Sequence, residues 1–201
     1  QISIPTTSGT GSEVSVVAMV STNEGKITIL GYPLISTIAL VDPELTMSCP
    51  PKLTAYTGMD ALTHAIEAFL SIRVNPVADM FSMQAITLIS QNLRKAYSDG
   101  KDIKARINMS LASLIAGMAF NQKSVGLVHA CSHQLSSKAS LPHGLGNAIM
   151  LPYVLKFNKI VCSDKYATMG AALGFDFSNL DECAAKFITE IENLNKDLKI
   201  P

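Results

Sequence analysis

The sequence predicts a mainly α, multi-helical protein with a short β-rich segment at its N-terminal end. Apolar residues recur at helical spacing from Pro50 to the last residues. Residues 1–50 instead show β-branched runs separated by Gly, Thr, Ser and Asn clusters. Of the 201 residues, 48% are apolar and only 16% charged, enough to fill a sizeable core. The change of pattern near residue 50 divides the chain into regions 1–50 and 51–201.

In the first region, IPTTSGTGSE is a small-residue loop, VSVVAMVST a strand and NEGK a turn. STIALVDPEL is a second strand, closed by Val41-Asp42-Pro43. A helix is expected over about 53–71. The next starts at Asn75, an N-cap, with Pro76 at its first position, and stops at Gly100. A third begins near Asp102. Its INMSLASLIAGMAF run is apolar nearly all round, which predicts a central position. GLVHACSHQL forms a fourth. A fifth follows Leu141-Pro142, with a kink expected at Pro152. Ser163 and Asp164 should start a short helix closing at Gly174, and an amphipathic helix should span about 181–199.

Sixteen basic and sixteen acidic residues cancel, and no basic stripe invites nucleic acid. The longest apolar runs fall short of the ~20 residues of a membrane span. Four cysteines, Cys49, Cys131, Cys162 and Cys183, form no C-x-x-C pair, so buried, reduced thiols in a cytoplasmic protein are expected. The opening QISIPTT lacks a Met and reads as the middle of a longer polypeptide. A cut there is expected to leave apolar surface on residues 1–50 and to favour association.

Asp60 and His64 stand four residues apart on one apolar helix face, and Glu67 continues it. A buried carboxylate beside an imidazole needs either a structural hydrogen bond or a metal. The remaining histidines, His129, His133 and His143, fall within fifteen residues in GLVHACSHQLSSKASLPHG, also in apolar surroundings. One carboxylate with two or three imidazoles suits a divalent first-row metal. Spacing alone also permits His129 and His133 as a chelating pair. The IPTTSGTGSE loop could bring N–H groups and hydroxyls to a phosphate. It matches neither the G-x-G-x-x-G nor the P-loop pattern.

Together, IPTTSGTGSEVS, ALVDPEL, PPKLTAYTGMDALTHAIEAF, GLVHACSHQL and LPHGLGNAIMLPYVLKFN resemble the iron-dependent, or group III, alcohol dehydrogenases. The resemblance implies that 1–50 is a remnant of the family's α/β dinucleotide-binding domain. It makes 51–201 the helical, metal-binding C-terminal domain of the dehydroquinate-synthase-like fold, itself cut short near Lys199. It implies Asp60, His64, His129 and His143 as metal ligands and places His133 near the nicotinamide, as a proton relay or positioner. Glu67 is then a partner that orients a ligand. Thr6, Thr10, Ser15, Lys26 and Thr46 are implied as contacts to NAD or NADP.

The expected reaction is hydride transfer between a primary alcohol or aldehyde and NAD(P), with Fe(II), or Zn(II), as Lewis acid. A homo-oligomer is expected. The family's G-G-G-S pyrophosphate turn is missing here. Ser136 stands where glycine is usual, and Ala139-Ser140 where bulkier residues are common, which leaves the substrate open. Three readings compete: a glycerol-dehydrogenase-like or dehydroquinate-synthase-like enzyme, a catalytically inactive metal-binding helical domain, and a purely structural bundle.

Overall fold

The computed structural model describes residues 1–22 and 25–201, with backbone alone at positions 21, 22, 25 and 26. Asn23 and Glu24 of the NEGK segment and the side chain of Lys26 lie outside the described residues. Six α-helices carry the described fold: α1 (Pro51–Leu70), α2 (Pro76–Ser98), α3 (Ile103–Lys123), α4 (Leu127–Ala139), α5 (His143–Ala172) and α6 (Leu180–Asp197). Ahead of them, β2 (Val17–Thr22) and β3 (Gly25–Leu30) pair antiparallel, with Val17 opposite Leu30. β1 (Ile2–Ser3) and β4 (Ile38–Ala39) pair parallel.

The helices start where their caps say they should. Asn75 accepts from the Ala78 N–H at 3.1 Å, Asp102 from Ala105 at 3.0 Å and Asn179 from Glu182 at 3.1 Å. The C-terminal end of α1 is held differently. Lys165 donates its Nζ to the carbonyls of Phe69 (2.8 Å), Leu70 and Ser71 (both 3.2 Å), meeting the orphan acceptors of that terminus with a cation.

Four expectations need correction. The fifth and the short helix are one: α5 runs thirty residues through Pro152, Ser163 and Asp164. Its buried stripe of Leu151, Leu155, Tyr166 and Met169 crosses the expected boundary, and Ser163 bonds to Asp181 at 3.1 Å rather than capping a new start. The central helix is α1, not α3. Every residue of α1 from Gly58 to Ala68 is buried, and α1 packs on α2, α3 and α5. The apolar girdle of α3 still leaves Ile107, Leu111 and Met118 exposed. The strand expected in STIALVDPEL shrinks to two residues, because Pro43 starts a turn soon after Leu40 has bonded back to Ser3 at 2.9 Å. Of the four free thiols only Cys183 is buried, and the other three are partly exposed.

The core is Met59, Leu62 and Ile66 of α1 against Ile86, Ile89 and Leu93 of α2, continued by Leu151 and Leu155 of α5 and Phe187 of α6. The N-terminal layer sits on α3 through a very close approach. A Cβ on Gly117 would lie 2.9 Å from both the Cα and the O of Gly11, so only glycine fits there. Gly11 itself has φ 59, a left-handed conformation that glycine takes at little cost. Ile2, Ile38 and Leu40 remain more than half exposed on this layer, the apolar surface expected of residues 1–50.

Candidate metal centre

The core brings three separate helices to one point. Asp60 and His64 come from the middle of α1, His129 from the first turns of α4, and His143 is the first residue of α5. One donor atom from each of the four lies within 4.8 Å of every other. Asp60 Oδ1 is 3.9 Å from His64 Nε2, 3.8 Å from His129 Nε2 and 3.4 Å from His143 Nε2. Four donors at ~2.1 Å from a tetrahedral ion would be roughly 3.4 Å apart, so the set needs little adjustment to fit one. The approach of α5 depends on Gly144, where a Cβ would come within 2.2 Å of the Tyr56 carbonyl oxygen on α1.

Two of the imidazoles are oriented by acceptors behind them. His64 donates Nδ1–H to the Gly9 carbonyl at 3.3 Å, and His129 donates Nδ1–H to Glu67 Oε2 at 2.6 Å. Each therefore turns an Nε2 lone pair toward Asp60. Glu67 does more than orient His129. Its carboxylate also accepts from the N–H groups of Gly126 (2.9 Å) and Val128 (2.6 Å). A side chain of α1 thus caps α4, which has no cap of its own.

Burial sets the protonation of the cluster. It pushes the Asp60 carboxyl up, against the opposing pull of His143, His129 and the Asn147 amide. Burial, followed by the neighbouring His129, holds His64 well below the ordinary imidazole value. Burial brings His143 down to about 4, although Asp60 opposes it. Burial would raise Glu67 too, but the bonds from His129, Gly126 and Val128 outweigh it and leave that carboxyl below its usual value. Imidazoles with nitrogens turned inward around a buried carboxyl are the donor set a divalent cation would satisfy.

A cavity of about 660 Å³ opens from the cluster. All four donors line it, together with His133, Phe120 and Arg73 and with Thr10 and Ser15 of the N-terminal loop. His133 stays outside the four-donor group, with its ring 5.9 Å from that of His129 and 5.2 Å from that of His143. The His129–His133 spacing is therefore not the grouping the fold brings together. Thr6 and Thr46 do not line the cavity. The Thr6 carbonyl accepts from Cys49 Sγ at 3.3 Å, and the buried Thr46 hydroxyl donates to the Pro43 carbonyl at 2.8 Å.

Three residues at this site escape a reading of the sequence. Asn147 is wholly buried among the donors. It lies one helical turn after His143, and that spacing was the available signal. Phe120 stacks on His64 at 4.5 Å between centroids, and Arg73 reaches the cavity just past the end of α1. Neither has a spacing that marks it.

Residues 54–201 match the model of the Fe-containing alcohol dehydrogenase family, C-terminal. The chain belongs to the iron-containing alcohol dehydrogenase family. It is 42% identical to 1,3-propanediol dehydrogenase of Klebsiella pneumoniae, over all of this chain and 53% of that protein. It is 41% identical to NAD-dependent methanol dehydrogenase of Bacillus methanolicus, over all of this chain and 54% of that one. A crystal structure of 1,3-propanediol oxidoreductase superposes with a TM-score of 0.96 at 41% identity, covering all of this chain and 53% of the other. This member of the family thus spans about half the length of the relatives it matches. No helix among its described residues is long and apolar enough to cross a membrane.

Proposed function

We propose that this chain forms the metal- and substrate-binding part of an alcohol dehydrogenase or aldehyde reductase that uses NAD(P). The observation that carries the reading is the convergence of Asp60, His64, His129 and His143 in the lining of one cavity. These four residues would hold Fe(II), with Zn(II) the other ion their donors suit. Such an ion, when bound, supplies Lewis acidity toward an alcohol or aldehyde oxygen. Glu67 and Gly9 keep His129 and His64 in the tautomers that present Nε2. Phe120 and the valines of the cavity wall exclude water from one side. His133, half-buried at the same cavity, is the group suited to move a proton near neutral pH.

Residues 1–50 would contribute part of a dinucleotide site, with Thr10 and Ser15 among the residues that line the cavity. Thr6, Lys26 and Thr46 enter that proposal through the family pattern alone. The exposed Ile2, Ile38 and Leu40 support self-association of the chain. Small primary alcohols or their aldehydes fit the family and the relatives' names.

The test is oxidation of NADH or NADPH with a series of short aldehydes by iron- or zinc-loaded protein, beside Asp60→Asn. Turnover that disappears in the variant supports the reading. Metal uptake without turnover would leave metal binding as what this chain does. Absence of both would sink the proposal.

A further inference from the structure

Asn147 makes contacts that the four-donor description leaves unused. Its side chain is wholly buried, and its Nδ2 lies 2.7 Å from Asp60 Oδ1, 3.1 Å from His129 Nε2 and 3.3 Å from His143 Nε2. His129 spends its other nitrogen as a donor to Glu67, so its Nε2 is an acceptor and the atom facing it must carry hydrogen. That fixes the orientation of the amide. The two hydrogens of Nδ2 serve Asp60 Oδ1 and His129 Nε2, and Oδ1 is buried with no partner. A buried amide with one atom unpaired is costly to keep for packing alone. The residue also has a fixed place relative to the cavity. All four donors line the cavity and Asn147 does not.

Resting on the metal-centre reading above, we propose that Asn147 is a positioning residue of that centre. It holds the Asp60 carboxylate in the orientation the cation needs, and its amide closes the face formed by Asp60, His129 and His143. An added ligand would then reach the ion from the cavity side. The Asp60–Asn147 bond joins α1 to the second turn of α5, so it also couples the two segments that supply Asp60 and His143.

The test compares the parent with Asn147→Leu, which keeps the branched shape and removes the donor, and Asn147→Ala. Zn(II) affinity is measured by chelator competition, and the visible absorption of the Co(II) form reports donor geometry. Folding of each metal-free variant is checked by circular dichroism. The proposal expects a folded variant to bind Zn(II) about ten- to a hundred-fold more weakly. It also expects the Co(II) bands to change in position or intensity. Affinity within about twofold of the parent with an unchanged Co(II) spectrum would overturn it, as would failure of both variants to fold without metal, which would make Asn147 structural. A parent that takes up no metal overturns the metal-centre reading and this inference together. A parent that binds metal with variants that match it overturns this inference alone.

Discussion

The helical body buries Met59, Leu62, Ile86, Leu93 and Phe187 completely, whereas no large apolar side chain of residues 1–50 is buried among the described residues. The two regions are held by different forces. The body has a continuous apolar core. The layer is fastened to it by a few polar bonds, by Val17 against Ala68, Ala119 and Phe120, and by two close approaches, Gly11 on Gly117 and Gly9 on Thr57. Ser8 pairs with Ser110 at 2.9 Å, Val16 donates to Asn121 at 2.9 Å, and Gly9 accepts from His64. One of these fastenings ends on a donor of the proposed metal site. Among its described residues the layer has no buried apolar side chain of its own, yet it orients His64. The difference teaches that the site belongs to the body in its framework and to the layer in its fine orientation.

That contrast can be broken from the body first. Phe187→Ala removes a wholly buried ring packed on Tyr166. It should cost about 3–5 kcal/mol in urea unfolding, with the whole chain losing stability together. Glu67→Ala acts at the seam between α1 and α4. It strands two backbone N–H groups and the His129 ring, so a loss of about 2–4 kcal/mol is expected in metal-free protein. A loss below about 0.5 kcal/mol would show that water replaces the carboxylate without penalty.

Breaking the layer alone should look different. Gly117→Ala pushes a methyl into Gly11 and Val14, at about 1–3 kcal/mol. Amide hydrogen exchange should speed up at residues 8–16 while α2 and α6 keep their protection. Equal acceleration in α6 would contradict the separation. The smallest expected effect is one of pH. The metal-free fold keeps His143 neutral down to about 4, whereas the unfolded chain protonates it near 6.5. Its contribution to stability is therefore full above about 6.5 and lost as pH falls toward 4, and His64 acts in the same direction. The raised Asp60 carboxyl opposes this trend, since the fold keeps a proton that the unfolded chain releases above its ordinary value. The thermal midpoint of chelated protein should decline over that interval, and His143→Ala should flatten the decline.

What could be read from the sequence divides along the same line. Helix starts at Asn75 and Asp102 were legible because an N-cap is a local signal. Asp60 and His64 were legible because helical spacing puts them on one face. The start of α4 at GLVHACSHQL was legible, but its cap was not, because that comes from Glu67, some sixty residues earlier. Unity of α5 was hidden by Ser163 and Asp164, which look like a helix start but are outweighed by packing on α6. Periodicity could not rank α1 above α3, since burial depends on how many neighbours surround a helix. Spacing alone left open which histidines converge, because His129 and His133 share a helix while His143 arrives from another; the family resemblance implied the group of four that the fold brings together.

The most direct test of the central claim is metal content of anaerobically purified protein by elemental analysis, with Asp60→Asn and His143→Ala measured beside it. About one iron or zinc per chain, lost in both variants, is the predicted result. A parent that remains metal-free after reconstitution with Fe(II) or Zn(II), or variants that retain its full complement, would contradict the assignment of Asp60, His64, His129 and His143.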